Sequence, residues 1–152
     1  MSELSYFERR RIQMEYAVPL VNDLREILGD EVLVNALEEL NRRRLQQACK
    51  EQDVNFSRMD EMVGYYAQGD AQGDALEYEV IASSSDQFDL DVHRCRYAEM
   101  MEELGGRDVG HLLVCSADYL SARQMGLTLT RTQTCMQGAD RCDFRYRPDT
   151  RE

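Results

Sequence analysis

The sequence predicts an α+β fold in which N-terminal helices pack on a C-terminal antiparallel sheet of about four strands, with one or two helices inserted. Apolar residues recur at helical spacing through the first 66 residues, and they alternate with polar residues in short runs from residue 75 to residue 147. We therefore expect a single domain over residues 1–152, with a helical cover over 1–66 and a sheet-bearing half over 75–147 that carries the site.

Three helices are predicted in the N-terminal half. The apolar spacing indicates a long helix over residues 4–28, kinked or divided at Pro19, and a second helix over about residues 31–51. A short third helix is expected over residues 57–66, because a serine N-cap precedes it. The repeated AQGD tetrapeptide at residues 67–74 predicts a loop.

The C-terminal half begins with two alternating runs, residues 76–81 and 88–93, which predict a strand and its hairpin partner. A helix is expected over residues 96–104, because two glycines follow it. Periodicity leaves residues 109–115 ambiguous, and residues 118–125 are expected to be helical or irregular.

The last segment, residues 127–146, predicts a hairpin in which two alternating runs flank a tight turn at Gly138. Arg131 continues the apolar face of Leu127 and Leu129. A buried arginine at that position must either reach solvent at the strand end or meet an anion, and the first outcome is the more common.

Composition limits the classes of partner. The 152 residues carry a net charge of -11, which repels phosphate backbones and anionic lipid, so no nucleic acid and no membrane partner is expected. The basic runs Arg9–Arg11 and Arg42–Arg44 are interpreted as solvated helix faces. The chain has no apolar stretch of membrane-spanning length and no signal peptide, so a cytoplasmic location is expected. The composition does not decide whether the protein forms a homo-oligomer.

Reactive side chains concentrate in the second half of the chain. They are His93, Cys95, Cys115, Asp118, Cys135 and Cys142, with Arg131 and Arg145 close in sequence. Cys95 lies between a predicted strand and a predicted helix, where a helix N-terminus shifts a thiol toward thiolate. His93 falls on the same predicted strand face and could act as a base. A buried thiol beside an edge histidine is the alternative.

Five cysteines without a secretory signal predict reduced thiols. They are numerous enough to bind zinc, but the chain lacks a C-x-x-C pair, so no cofactor is expected and a zinc or iron centre is left open. Walker, dinucleotide-binding, G-x-S-x-G and H-E-x-x-H motifs are missing. Phosphate and nicotinamide chemistry are therefore disfavoured.

Four short motifs occur in an order and spacing that resemble the L-2-amino-thiazoline-4-carboxylic acid hydrolase family. They are CRYAE at residues 95–99, CSAD at 115–118, RTQT at 131–134 and GADRCDFR at 138–145, and the likeness is best over residues 85–147. The resemblance implies hydrolytic opening of a cyclic amidine ring, which gives N-carbamoyl-L-cysteine on a bacterial route to cysteine. The expected partner is a small carboxylated heterocycle.

The positions that match the family are Cys95, Cys115, Asp118, Arg131, Thr134, Gly138 and Cys142. We assign catalytic roles to Cys95, Asp118, Cys142 and Cys115, and substrate-binding roles to Arg131, Thr134, Arg145 and His93; metal ligands are unknown. In this hypothesis Arg131, or else Arg145, binds the carboxylate of the substrate, and Asp118 binds its amidine and relays a proton. Either Cys95 attacks the amidine carbon, or an activated water does so while the cysteines shape or ligate the site.

Two other classes of function stay open at this point. One is a noncatalytic domain that binds or senses a small molecule. The other is a cysteine-ligated metal or redox module.

Overall fold

The computed structural model of the chain describes residues 3–51, 57–67 and 75–149. The loop predicted at residues 67–74 lies, from residue 68 onward, outside the described residues. In the described ranges, no helix is long and apolar enough to cross a membrane.

The α+β prediction is confirmed. The helices are α1 (Tyr6–Leu28), α2 (Asp30–Glu51), α3 (Met59–Ala67), α4 (Arg96–Leu104) and α5 (Ser116–Gln124), and the strands are β1 (Leu76–Ser83), β2 (Phe88–Cys95), β3 (Leu127–Thr130) and β4 (Cys142–Pro148). The strands form one antiparallel sheet in the order β1-β2-β4-β3. The ambiguous segment contains a 3-10 turn, Arg107–Val109, and a π-helical turn, His111–Cys115.

The helices cover one face of the sheet, because alternate strand residues on that face are apolar. Phe88, Leu90 and Val92 of β2 are buried there, and side chains of α1 and α3 pack in the same core. The opposite face carries ion pairs between β2 and β4. Arg147 Nη1 lies 2.6 Å from Asp89 Oδ1 on that face. Because ion pairs occupy the polar face of the sheet, the site lies on the buried face.

Helix α1 begins with a capping box between Ser5 and Glu8 and runs past Pro19 without dividing. A proline in a helix removes one backbone hydrogen bond. Val18 and Val21 are buried on either side of Pro19, so packing holds both turns in one helix. Of the two predicted outcomes, a kink or a division at Pro19, the division does not occur, and the kink stays a prediction.

The predicted tight hairpin at Gly138 is wrong. Strand β3 ends at Thr130 and β4 begins at Cys142, so residues 131–141 form a longer connection that includes the 3-10 turn Cys135–Gln137. Gly138 has φ of +96°, which suits the end of that turn.

In this connection, the side-chain carboxylate of Asp143 accepts backbone hydrogen bonds that a neighbouring strand would otherwise accept. Asp143 accepts hydrogen bonds from the backbone N–H groups of Thr132 and Gln133, each at 2.9 Å. Although burial raises the pKa of Asp143, these hydrogen bonds and that of the Thr132 hydroxyl hold it below its usual value.

Gly110 allows the π-helical turn to approach the connection closely. A Cβ atom there would come within 2.9 Å of Cγ of Met136, whose side chain is buried. We expect Gly110→Ala to lower the free energy of unfolding by about 1–3 kcal/mol, measured by urea denaturation. Gly64→Ala in α3 is the control, because a Cβ there meets no atom within 4 Å. Equal stability of the Gly110→Ala and wild-type proteins would contradict this account of the contact.

Candidate active site

A cavity of about 370 Å³ lies between α1, α3 and α5 and the buried face of the sheet. Five of the predicted site residues line it: Cys95, Cys115, Asp118, Arg131 and Cys142. They come from β2, the π-helical turn, α5, the end of β3 and β4, so the fold brings together groups that are far apart along the chain.

Arg131 meets an anion inside the protein, and the more common alternative of reaching solvent is wrong here. Its side chain is only 3% exposed, and Nη1 donates to Asp118 Oδ2 at 2.8 Å while Nη2 donates to the Cys115 carbonyl at 2.9 Å. The guanidinium lies between the rings of Tyr119 and Phe144, at 4.8 and 4.7 Å from their centroids. Both terminal nitrogens are thus already engaged.

Two buried polar atoms of the lining have no hydrogen-bond partner. They are Nε of Arg131 and the hydroxyl of Tyr97, whose residue is 5% exposed. A buried donor without a partner costs about 1–3 kcal/mol. Both atoms belong to residues that line the cavity, and both are shielded from solvent.

Asp118 is the carboxyl group that Arg131 binds in the cavity. It lies in the first turn of α5, and its side chain is 32% exposed, on the side that faces the cavity. Burial raises the pKa of Asp118 above its usual value, and the charge and hydrogen bond of Arg131 offset this only in part. A raised pKa makes a carboxylate a better proton acceptor, and the resulting carboxyl can return the proton later in the reaction.

Cys95 faces the cavity because of a β-bulge. Glu77 pairs with Arg94 and Tyr78 pairs with Val92, so His93 has no partner position in β1. The extra residue puts Val92 and Cys95 on one side, and both line the cavity. His93 is 51% exposed, with Nε2 3.7 Å from Glu79 Oε2. The prediction that His93 shares the face of Cys95 is therefore wrong.

The cavity thiols are protonated at neutral pH. Burial raises the pKa of Cys95 to about 11, more than the N–H groups of Ala98 and Tyr97 at the start of α4 lower it. Burial likewise raises the pKa of Cys142 to about 12 and that of Cys115 well above its usual value. The predicted shift of Cys95 toward thiolate is wrong, because desolvation outweighs the helix N-terminus.

Cys135 lies behind the cavity wall. Its backbone N–H donates to Sγ of Cys142 at 3.1 Å, and its own thiol donates to the Val92 carbonyl at 3.6 Å. Across the described part of the chain, no three side chains of His, Cys, Asp or Glu are grouped so that they could hold a metal ion.

Thr134 and Arg145 do not line the cavity. The Thr134 hydroxyl accepts from the N–H of Gln137 at 3.2 Å and so caps a 3-10 turn. Arg145 follows inward-facing Phe144 and points to the other face, where Nη2 lies 2.9 Å from Asp91 Oδ1. The substrate-binding roles predicted for Thr134, Arg145 and His93 therefore do not fit this cavity, and the roles of the other five residues stay predictions.

The mouth of the cavity contains residues that sequence reasoning missed. Tyr6 and Arg10 reach it from α1, and Glu61 and Tyr65 reach it from α3. Arg10 was assigned to a solvated helix face, since periodicity cannot distinguish an open face from the rim of a cavity. Tyr97 lies within the CRYAE motif, and this motif is the feature of the sequence that could have identified Tyr97 as a site residue.

Comparison with known proteins agrees with the motif analysis. No curated protein matches the chain. The sequence model of the L-2-amino-thiazoline-4-carboxylic acid hydrolase family matches residues 9–146, which extends the likeness from the C-terminal motifs to α1 and α2. The chain therefore belongs to the L-2-amino-thiazoline-4-carboxylic acid hydrolase family.

Proposed function

We propose that the protein is a hydrolase that opens a small cyclic amidine of the 2-aminothiazoline-carboxylate type by adding water. The observation that carries this proposal is the placement of Asp118 in the cavity lining, where Arg131 holds its carboxyl and part of the side chain remains exposed. Cavities of about 300–1,000 Å³ suit small ligands, and this one is near the lower end of that range.

Asp118 binds the amidine nitrogens and acts on the attacking water. Its carboxylate accepts a proton from water as the oxygen bonds to the amidine carbon. The carbon–sulfur bond then breaks, and Asp118 returns that proton to the leaving sulfur. The second water proton leaves the new carbonyl for solvent and balances the proton that made the amidine cationic, so the product is an N-carbamoyl thiol.

Arg131 positions Asp118 in this scheme. The guanidinium keeps its charge, because the Asp118 carboxylate raises the pKa of Arg131 although burial lowers it. Its two hydrogen bonds fix the α5 carboxyl relative to the sheet.

The thiols shape the cavity, and water is the nucleophile. A protonated Cys95 with a pKa of about 11 is a poor nucleophile at neutral pH. We expect Cys95→Ser to keep kcat within about tenfold of wild type, measured by product formation, whereas loss of a covalent nucleophile would reduce it by about 10³-fold or more. A loss of the larger size, with an unchanged melting temperature, would restore the covalent route.

The rate should depend on the ionisation of Asp118. Water activation needs the carboxylate, so kcat/KM should fall as pH is lowered through the pKa of this group in the free enzyme. Because burial raises that pKa, the acid limb should lie above the value of about 3.9 for an ordinary aspartate. A profile that stays flat down to that value would contradict the role of Asp118.

A panel of small rings tests the proposed function. Purified protein is incubated with cyclic amidines that differ in ring sulfur and in carboxylate, and mass spectrometry follows the addition of one water. Addition to a carboxylated thiazoline supports the hydrolase. Thermal stabilisation by the same ring without turnover would favour a binding or sensor domain. The cytoplasmic location, the absence of a cofactor and the oligomeric state stay predictions.

A further inference from the structure

Two arginines line the cavity within the described residues, and their surroundings differ. Arg131 is buried, and its two terminal nitrogens already donate to Asp118 and to the Cys115 carbonyl. Arg10 is half-buried on α1, where Nη1 donates to the side-chain oxygen of Gln13 at 3.1 Å. Across the described ranges, no carboxylate lies within ion-pair distance of Arg10.

Each charged residue of the lining other than Arg10 has an ion-pair partner. Asp118 is paired with Arg131, and Glu61 at the mouth lies 3.3 Å from Nη1 of Arg58. Arg10 is therefore the charged residue of the lining that has no ion-pair partner among the described residues. An anionic group of a ligand would complete the set, since an arginine fork binds a carboxylate through two parallel hydrogen bonds.

We infer that Arg10 binds the carboxylate of the substrate at the cavity mouth and so determines the preference for carboxylated rings. This inference rests on the proposed function and moves the anchoring role from Arg131 to Arg10. Asp118 at the inner end takes the cationic amidine, and Arg10 at the mouth takes the anion. A zwitterionic ring would thus enter in one orientation.

The position of Arg10 supports this role in two ways. Its guanidinium lies 6.0 Å from the ring centroid of Tyr6, another residue of the mouth, which limits where the fork can lie. Its charge also lowers the pKa of Asp118, so its field reaches the inner end of the cavity. A carboxylate on Arg10 would screen that field while the amidine is bound.

Arg9 offers a matched control for Arg10. It precedes Arg10 on α1, is exposed, and lies 5.7 Å from the same Tyr6 ring, but it does not line the cavity. Arg9→Gln and Arg10→Gln therefore remove the same charge from the same turn of helix. Arg10→Lys keeps the charge and removes the fork.

The test measures kcat and KM for 2-aminothiazoline-4-carboxylate and for its methyl ester. We expect Arg10→Gln to raise KM for the acid by roughly 10- to 100-fold, with kcat within about twofold and little change for the ester. Arg10→Lys should recover part of the loss, and Arg9→Gln should resemble wild type. An equal loss for acid and ester, or no loss for either, would overturn the inference while leaving hydrolysis intact.

Calorimetric binding of the same two compounds separates this inference from the proposed function. If wild type shows no turnover but binds the acid, and Arg10→Gln loses only that binding, the inference holds and the hydrolase proposal fails. If wild type binds neither compound, both are overturned.

Discussion

Asp118→Asn is expected to reduce kcat by about 10²- to 10⁴-fold, the usual contribution of a positioned acid–base group. The amide keeps the shape of the side chain and can still accept a hydrogen bond from Arg131, but it cannot take a proton from water. Initial rates of ring opening, measured by mass spectrometry at saturating substrate, check this expectation.

Asp86→Asn is the matched control, because it makes the same change at an exposed residue between β1 and β2. It should leave kcat unchanged. Melting temperatures of both variants show whether the fold is kept. Near-normal turnover by folded Asp118→Asn would remove Asp118 from the mechanism.

Arg131→Met is expected to give the largest loss of stability, about 2–4 kcal/mol in the free energy of unfolding. The change leaves the Asp118 carboxyl and the Cys115 carbonyl without their donor and removes a cation stacked between two rings. Asp118 is partly exposed to the cavity, so protonation and water limit the loss. Urea denaturation measures it.

The loss should be smaller at low pH. Without Arg131, burial raises the pKa of Asp118 further above its unfolded value. A group with a raised folded-state pKa contributes stability below its unfolded pKa and loses it as pH rises through the folded pKa. The deficit of Arg131→Met should therefore shrink as pH is lowered toward the unfolded-state pKa of an aspartate, about 3.9.

Arg145→Met is the control for this pair of experiments. Arg145 also pairs with an aspartate, but its own side chain is 29% exposed on the outer face, and Asp91, although buried, keeps Arg141 at 3.4 Å. We expect a loss of about 1 kcal/mol or less. Equal losses for the two arginine variants, or a deficit that grows as pH falls, would contradict the description of the buried pair.

The fold class followed from the sequence because helical and alternating periodicities are local and strong. The hydrophobic pattern predicted all four strands of the sheet. Because Arg131 shares a strand face with Leu127 and Leu129, the pattern also indicated a buried anionic partner as one of two alternatives for it, and that alternative is correct. Choosing between solvent and anion needed the position of Asp118, which depends on how α5 packs beside β3. That is a tertiary property, and no local pattern reports it.

The errors at the site have specific causes. A β-bulge at His93 shifts by one residue the alternation of side chains between the two faces of β2. The sequence pattern does not show which residue of a strand is the extra one in a bulge. The sequence pattern predicts that Thr132 and Gln133 continue β3, but their N–H groups donate to the Asp143 carboxylate and not to a neighbouring strand. Cys95 lies at a helix N-terminus as predicted, yet its pKa is set mainly by burial, which depends on the whole fold.

A crystal structure of Asp118→Asn with intact 2-aminothiazoline-4-carboxylate tests most directly whether this cavity binds and opens the ring. We expect the ring in the cavity, with its amidine beside residue 118, its carboxylate at Arg10 and the Cys95 thiol in contact but unmodified. A cavity without ligand at saturating concentration, or a ring bound instead in the open depression beside His111, would contradict the account.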